Sequence, residues 1–287
     1  MNMIVTADWH LRDSVPKCLS LTQTEWYELQ ENMLGQIGEF CVKNDADLYV
    51  VGDIFDSNDD CSFRLIQMVQ TLAKELSDFN LTLFFIAGNH DEKYHDKNLI
   101  NSAIGILLNS ENCRLIGNDD FIGASNFGEE PNDSEIVFIH TLTMPSNEKP
   151  SYIDCETPQT LVQRFKNAKV IFVGDYHKFF TETVERSLGD SVYVVNCGCT
   201  LIEKADFVDY EPRVIFYNTD YHKAECLFLD TSLYKFCKTE KKEESEFVEE
   251  LTSKLSKEQI TLDYQNNLEK AIESESEPIK NKIRSWF

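Results

Sequence analysis

The stretch IFVGDYHKFF, residues 171–180, decides the fold, because an apolar run ends there in an aspartate and a histidine, Asp175 and His177. The continuous apolar run predicts a β-strand that is covered on both faces. A single Asp-x-His pair is, by itself, typical of a capped turn. Its meaning therefore depends on whether other strands of the chain end in the same way.

Four further apolar runs end in the same kinds of side chain. In open α/β sheets the carboxyl ends of parallel strands face one crevice, so the five ends are predicted to meet at one site. Four of the six histidines of the chain belong to this set. The other four ends are Asp8-Trp9-His10, Gly52-Asp53-Ile54-Phe55-Asp56, Gly88-Asn89-His90-Asp91 and His140.

The spacing of apolar residues predicts strands that alternate with helices up to about residue 180, which indicates a layered α/β fold. The helices are expected at about 21–42, 62–76, 98–108 and 157–168. After residue 180 the pattern changes to four strands, which predicts an antiparallel continuation of the sheet or a small cap. From about Thr239 the chain is charged and helical in pattern. We therefore predict a catalytic domain at 1–200, a sheet extension or small cap at 201–238, and a charged linker with a helical tail at 239–287.

Composition favours an intracellular globular protein. The chain has 287 residues, of which 42% are apolar, and it has no apolar run long enough to span a membrane. The first apolar segment lacks a preceding basic region and is too short for a signal peptide, so we expect a cytoplasmic location and no membrane contact. The nine cysteines include no C-x-x-C pair, which predicts reduced thiols rather than a zinc site.

The chain is strongly acidic, since 27 basic and 50 acidic residues give a net charge of −23. Nucleic-acid binding normally requires a basic surface. Any contact with DNA must therefore use local positive charge or a partner protein.

The five blocks together resemble the motifs of the calcineurin-like metallophosphoesterase superfamily over about residues 3–180. They read D-x-H, G-D-x-x-D, G-N-H-D, H and G-D-x-H. The superfamily usually has G-H-x-H as its last block. The first three blocks also resemble the SbcD-type nuclease subunit of double-strand-break repair complexes, in particular its smaller phage-type relatives. The run YVVNCGCTLIEKADFVDYEPRVIFYN, residues 193–218, is similar to the strand-turn-strand that follows the last block in those relatives.

The resemblance implies a layered sandwich of mixed β-sheets flanked by helices, and a site for two divalent metal ions. His90 is implied to face the substrate and to act on the leaving oxygen, with Asp91 orienting it. Asp56 is expected to brace the turn, while Lys178 and His95 are candidates for contact with substrate. The implied ligands are Asp8, His10, Asp53 and His177 for one ion, and Asp53, Asn89, His140 and Asp175 for the other, with Asp53 bridging.

Position 175 departs from the superfamily, because an aspartate stands where a histidine is usual. A carboxylate is a competent ligand, and an oxygen-rich site favours Mn²⁺, with Fe or Zn²⁺ as alternatives. A second interpretation is that Asp175 binds its ion poorly and leaves a one-metal or inactive site.

The leading hypothesis is a two-metal DNA nuclease, exonuclease or endonuclease, of DNA recombination, repair or phage DNA processing. By resemblance, its tail would dock on a coiled-coil ATPase of the SbcC type, and a homodimer is also considered. If phage-encoded, it would act in the host cytoplasm. The alternatives are a phosphatase, a small-molecule phosphodiesterase, or a non-catalytic binding module of the same fold. Protein phosphatases are disfavoured, because they read GDxxDRG and GNHE, whereas Asp56 is followed here by Ser57-Asn58 and the third block is GNHD.

Overall fold

The computed structural model describes residues 1–57, 61–92, 97–110, 112–148, 154–186 and 189–237. His95 and the tail 239–287 lie outside the described residues. Within the described ranges every helix is too short or too polar to span a membrane.

The first sheet, among the described residues, has six strands in the order β11-β10-β1-β2-β3-β4. Neighbours from β1 to β4 pair in parallel, whereas β10 pairs antiparallel with both β1 and β11. The parallel strands therefore present their carboxyl ends at one edge. The strands are β1 (Asn2–Thr6), β2 (Asp47–Val51), β3 (Leu83–Ile86), β4 (Cys113–Leu115), β10 (Arg213–Asn218) and β11 (Lys223–Phe228).

The second sheet, within the described ranges, has five strands in the order β5-β6-β7-β9-β8, of which only β8 is antiparallel to its neighbour. Its strands β6 and β7 end in His140 and Gly174, opposite the carboxyl ends of the first sheet. The strands are β5 (Ile122–Ser125), β6 (Ile136–His140), β7 (Val170–Gly174), β8 (Phe180–Glu185) and β9 (Ser191–Asn196).

The two sheets pack face to face, with helices on their outer faces. An aromatic stack of Tyr49, Phe138 and Phe172, with centroids 5.2–5.3 Å apart, fills the layer between the sheets. The first sheet is covered by α1 (Gln23–Asn44), α2 (Phe63–Asp78) and α3 (Ala103–Leu108), and the second by α4 (Pro158–Arg164). This α/β architecture of two mixed sheets flanked by helices confirms the predicted fold class.

Capping side chains place the helix boundaries. Thr22 and Glu25 form a capping box, so α1 begins two residues later than the periodicity predicts. The segment predicted as one helix at 98–108 is a 3₁₀ turn at Leu99–Asn101 followed by α3, because Ser102 is extended and its hydroxyl caps the amide of Gly105.

Residues 201–237 belong to the same compact unit as the preceding chain, which extends over Met1–Cys237. β10 and β11 extend the first sheet, with β10 paired along β1. Of the two predicted arrangements for this segment, the described residues therefore form a sheet extension.

Candidate metal centre

The candidate site lies where strands of both sheets end. The side chains that follow β1, β2, β3, β6 and β7 converge into three groups, each with ligand atoms within 4.8 Å of one another. The groups are Asp8 with His10 and His177, His10 with Asp53 and His90, and Asp8 with Asp53 and His140.

Asp53 lies between the histidines of the two sheets. Its Oδ1 accepts a hydrogen bond from the His90 backbone amide at 2.9 Å. Its Oδ2 lies 3.6 Å from His10 Nε2 and 3.3 Å from His140 Nε2. Burial by itself raises the pKa of Asp53, but the surrounding imidazoles, His140 first, together lower it below its usual range. One carboxylate oxygen of Asp53 therefore lies close to both His10 and His140, as a bridging ligand must.

Asp8, His10 and His177 form the first group. His10 Nε2 lies 3.1 Å from His177 Nε2, and both oxygens of Asp8 accept the amide of Asp175 at 3.0 and 3.2 Å. Burial lowers the pKa of His10 to about 3 and, with the charge of Lys204, that of His177 to about 4. Both imidazoles are therefore neutral at pH 7 and carry the lone pair that a metal ligand needs.

His140 lies in the third group with Asp8 and Asp53, and its Nε2 contacts the side chain of Asn89. His140 Nδ1 lies 2.8 Å from the carbonyl of Val51, which fixes Nε2 toward Asn89 Oδ1, 3.0 Å away, and toward Asp53. Burial alone lowers the pKa of His140, but the carboxylates of Asp53 and Asp8 raise it to about 10. The carboxylates of Asp53 and Asp8 thus stabilise the protonated His140 ring, and the same negative charge would bind a divalent cation.

Four of the predicted ligands have left-handed backbones. Asp8, His10, Asp53 and Asp175 have φ values of 50°, 47°, 53° and 89°. Such conformations cost non-glycine residues on the order of 1–3 kcal/mol each and are concentrated at functional sites. Backbone hydrogen bonds stabilise two of these residues, from the Asp8 amide to the carbonyl of Gly52 at 3.1 Å and from the His10 amide to that of Asp53 at 3.0 Å.

Gly88 and Gly52 allow the backbone to pass directly beside the site. A Cβ at Gly88 would collide with the carboxylate and amide of Asp53. A Cβ at Gly52, where φ is 82°, would collide with the His140 ring. The glycines of the sequence blocks are therefore required by close contact with the site.

Asp91 does not orient His90, which corrects the prediction from the sequence. The buried carboxylate of Asp91 accepts the amides of Ile54 at 3.2 Å, Phe55 at 3.2 Å and Gly88 at 3.0 Å. Asp91 therefore joins the turn after β2 to the turn after β3. The Nδ1 atom of His90 lies instead 2.7 Å from the carbonyl of Asp56.

Sequence reasoning missed a polar network at the rim of the site. The Arg12 guanidinium contacts the carboxylates of Asp56 at 3.2 Å and Glu203 at 3.1 Å. The buried His10 Nδ1 has no hydrogen bond and lies 3.7 Å from Asp56 Oδ1. Asp56 thus contacts two site histidines, whereas the sequence suggested only a brace for the turn. Arg12 and Asp56 lie close to the motif residues, but Glu203 is distant in sequence and gave no signal.

Asn196, at the end of β9, was also missed. Its buried side-chain amide donates hydrogen bonds to the carbonyls of Tyr176 and, at 2.7 Å, Lys178. These two residues flank His177, so Asn196 holds the loop that carries this histidine. A polar residue at the end of an apolar strand was the available signal.

The remaining predicted residues are placed as follows. The backbone amide of Asp175 contacts Asp8, while its half-buried carboxylate is in none of the three ligand groups found among the described residues. Burial first, and then the charge of Asp53, raises the pKa of Asp175. Lys178 is exposed, with its Nζ 6.0 Å from the ring centroid of Phe207.

The sequence profile of the calcineurin-like phosphoesterase family matches residues 1–179. The chain belongs to this family. A search of curated proteins gives no match. A solved structure described as a novel archaeal phosphodiesterase shares 15% identity and a TM-score of 0.41, and the alignment covers 80% of this chain and 100% of that one.

Calcineurin-like phosphoesterases bind two divalent metal ions, and the donor set of this chain fits such ions. The groups combine imidazole nitrogens with carboxylate oxygens, and Asp53 Oδ2 lies close to His10 and His140. Oxygen and nitrogen donors without thiolate suit Mn²⁺, Fe and Zn²⁺. Asp8, His10, Asp53 and His177 would hold one ion, and Asp53, Asn89, His140 and the predicted ligand Asp175 the other. The arrangement therefore fits a metal-dependent phosphoesterase.

Proposed function

We propose that this calcineurin-like phosphoesterase is a two-metal-dependent DNA nuclease that acts in DNA recombination, repair or the processing of phage DNA. Family membership accounts for phosphoester hydrolysis, and the choice of DNA as substrate is our inference. The observation that carries it is a pair of lysines beside the ligand histidines, in a chain whose net charge is −23.

The two lysines are Lys178 and Lys204. Lys204 lines a small cavity with His10, His177 and Phe207, and its charge contributes to the lowered pKa of His177. Lys178 directly follows His177, and its Nζ faces the Phe207 ring. Both are exposed, and within the described ranges neither forms an ion pair with a carboxylate. Their positions suit contacts to phosphates that flank the scissile one, which a polynucleotide has and a small phosphodiester lacks.

Different residues of the site would have different roles in phosphodiester hydrolysis. Divalent ions held by the ligand residues would polarise the phosphate and activate a water molecule. The carbonyl of Asp56 accepts a hydrogen bond from His90 Nδ1, so Nε2 is the ring atom that protonates the leaving oxygen. Asn89 and Val51 fix His140, and Asn196 fixes the loop of His177, so that the ligand atoms are oriented before substrate arrives.

We further propose that Mn²⁺ is the preferred metal, because Asp175 adds a carboxylate where the superfamily usually has a histidine. A coiled-coil ATPase of the SbcC type is the proposed partner, and it would supply DNA-binding surface that this acidic chain lacks. Residues 239–287, proposed to dock on that partner, lie outside the described residues. A homodimer is the second assembly to test.

The test compares two substrates with the metal-free protein reconstituted in Mn²⁺. Linear DNA and a small aryl phosphodiester are assayed in parallel, with the partner ATPase added where it is in hand. Hydrolysis of both, with DNA preferred, supports the proposal. Turnover of the small diester alone would show a small-molecule phosphodiesterase, and turnover of neither with every divalent metal would show a binding module.

The lysine pair provides the sharper test. Lys178→Ala combined with Lys204→Ala should raise the KM for DNA about tenfold and reduce the salt slope of log KM by about one to two units. Its turnover of the small diester should change much less than its KM for DNA, and metal content is measured alongside because Lys204 lies near His177. The matched control, Lys74→Ala with Lys166→Ala, removes the same charge from exposed positions on α2 and beyond α4. An equal effect of both double variants would show that only net charge matters.

His90→Ala tests the assignment of the leaving-group acid. Because His90 faces the substrate, both metals should stay bound while kcat falls about 10²- to 10³-fold. Metal content by elemental analysis and kcat are measured on the same sample. Loss of metal in this variant would show that His90 is a ligand.

A further inference from the structure

Cys18 and Cys237 face each other where residues 235–237 pair with residues 18–20. Leu19 and Phe236 form an antiparallel bridge. The Ser20 amide donates to the Lys235 carbonyl at 2.7 Å, and the Cys237 amide donates to the Cys18 carbonyl at 2.8 Å. This register makes Cys18 the direct cross-strand partner of Cys237.

Direct cross-strand partners project their side chains from the same face of the ladder. In a hydrogen-bonded antiparallel pair the Cα atoms lie about 5.5 Å apart, and disulfides are most common at Cα separations of about 5.5–6 Å. The backbone pairing therefore brings the two residues near the Cα separation that disulfides use, and the Cys237 Sγ, which lies 3.5 Å from the Lys17 carbonyl, must rotate toward Cys18 for the bond to form. Burial raises the pKa of the Cys18 thiol, and the nearby Cys237 thiol raises it further.

The surroundings of this pair differ from those of most other cysteines. Cys237 is exposed and Cys18 is half-buried, so a dissolved oxidant can reach them. The other cysteines either are buried or lack a cysteine directly opposite. They are Cys41, Cys113, Cys197 and Cys199, which are buried, and Cys61, Cys155 and Cys226, which are half-buried.

We propose that Cys18 and Cys237 are a redox modification site that closes to an intramolecular disulfide when the protein meets a peroxide. Peroxide oxidises the exposed Cys237 thiol to a sulfenic acid and releases one water. The Cys18 thiolate then attacks that sulfur, the S–S bond forms, and hydroxide leaves with the Cys18 proton as a second water. Two thiols and one hydrogen peroxide thus yield one disulfide and two waters.

The crosslink joins positions 237 − 18 = 219 residues apart in sequence. It fixes Cys237, the residue from which 238–287 continue, against the segment that leads into α1. The inference depends on the cross-strand geometry and not on the proposed nuclease function. A disulfide that closes a long loop also stabilises the folded state, so the oxidised protein should melt about 5 °C or more above the reduced protein.

The experiment uses the full chain and hydrogen peroxide as the probe. Thiol titration under denaturing conditions should fall from the nine cysteines of the chain to seven after oxidation. Digestion without reduction should yield a peptide with Cys18 bonded to Cys237, and dithiothreitol should reverse both changes. This measurement on the unmodified chain requires no folded variant.

Variants then identify the sulfurs. Cys18→Ser and Cys237→Ser should each abolish the loss of two thiols and the rise in melting temperature. Cys226→Ser, a half-buried cysteine on β11, serves as the matched control and should still form the bond. Oxidation of Cys237 to a sulfinic acid, or a disulfide between two chains, without the Cys18–Cys237 peptide would overturn the proposal.

Discussion

The two sheets build their halves of the metal centre differently. In the first sheet, Asp8 and Asp53 are 0% and 1% exposed, both have left-handed backbones, and their carboxylates accept backbone amides. In the second sheet, Asp175 and His177 are half-buried and follow the strand in a loop held by Asn196, although Asp175 shares the left-handed backbone and His140 is 1% exposed. We infer that the first half is rigid before any metal binds, and that the loop of Asp175 and His177 makes the second half more adjustable. Substitutions in the first half should therefore weaken metal binding strongly, whereas substitutions in the second half should change which metal ion is preferred.

Asp53→Asn is expected to have the largest effect. The amide keeps an oxygen for the His90 backbone but removes the charge of a carboxylate whose Oδ2 lies close to both His10 and His140. Metal content should fall from two ions per chain to below one, and kcat for a phosphodiester by about 10³-fold or more. Elemental analysis and a rate assay measure these. One ion retained at full occupancy would mean that Asp53 serves a single metal.

Gly88→Ala tests the rigidity of the first half without changing a ligand. The new methyl group collides with the Asp53 carboxylate and with backbone, so the carboxylate must move. We expect metal affinity to fall about 10- to 100-fold, the usual range for disturbing a group that positions ligands. Titration of the metal-free variant and parent with Mn²⁺ measures this change in affinity.

Gly35→Ala is the matched control for this variant. Gly35 lies in α1, where an added Cβ meets no atom within 4 Å. Metal affinity should not change, and the free energy of unfolding should increase by about 0.5–1 kcal/mol, because alanine favours the helix. If Gly88→Ala also leaves metal affinity unchanged, the first half of the site is less rigid than we infer.

Asp175→His tests whether the second half is adjustable. It introduces the residue that the superfamily usually has, in a half-buried position whose carboxylate is outside the three ligand groups. Two ions should still bind, while the preference for Zn²⁺ over Mn²⁺ should increase about tenfold, since imidazole is the softer ligand. Competition titration of the two metals measures the ratio. A loss of metal as large as in Asp53→Asn would remove the distinction between the halves.

The sequence predicted the fold and the members of the site well, because both depend on a local pattern. Each apolar strand ends in its own polar block, and parallel topology brings the ends together. The structure confirms the layered α/β architecture and places Asp8, His10, Asp53, His140 and His177 in ligand groups. The ligand roles themselves remain predictions that metal titration must test.

Contacts between distant segments could not be predicted in this way. Adjacency in GNHD suggested that Asp91 orients His90, but consecutive side chains in a turn point in different directions. Asp91 therefore contacts the turn after β2, and Asp56 reaches His90 through a main-chain carbonyl, which no side-chain pattern records. Glu203 reaches Arg12 from 191 residues away, a pairing that only the folded chain defines.

Glu203→Gln is expected to have the smallest effect, and it tests the contact that joins the two halves. The Arg12 guanidinium joins Glu203, in the loop after β9, to Asp56, after β2. Burial raises the pKa of Glu203 from 4.5 to about 7, although Arg12 opposes this increase. Because the folded pKa is above the unfolded one, the stability that protonated Glu203 contributes is complete below about pH 4.5 and lost as the pH rises through 7.

Glutamine does not titrate, so the melting temperature of the Glu203→Gln variant relative to the parent should rise between pH 5 and 8. Thermal melts of metal-free protein at matched ionic strength measure this difference, with the exposed Glu129→Gln as control. A difference that is constant with pH would show that Glu203 is ionised throughout, and that Arg12 joins the halves by a charge pair at every pH.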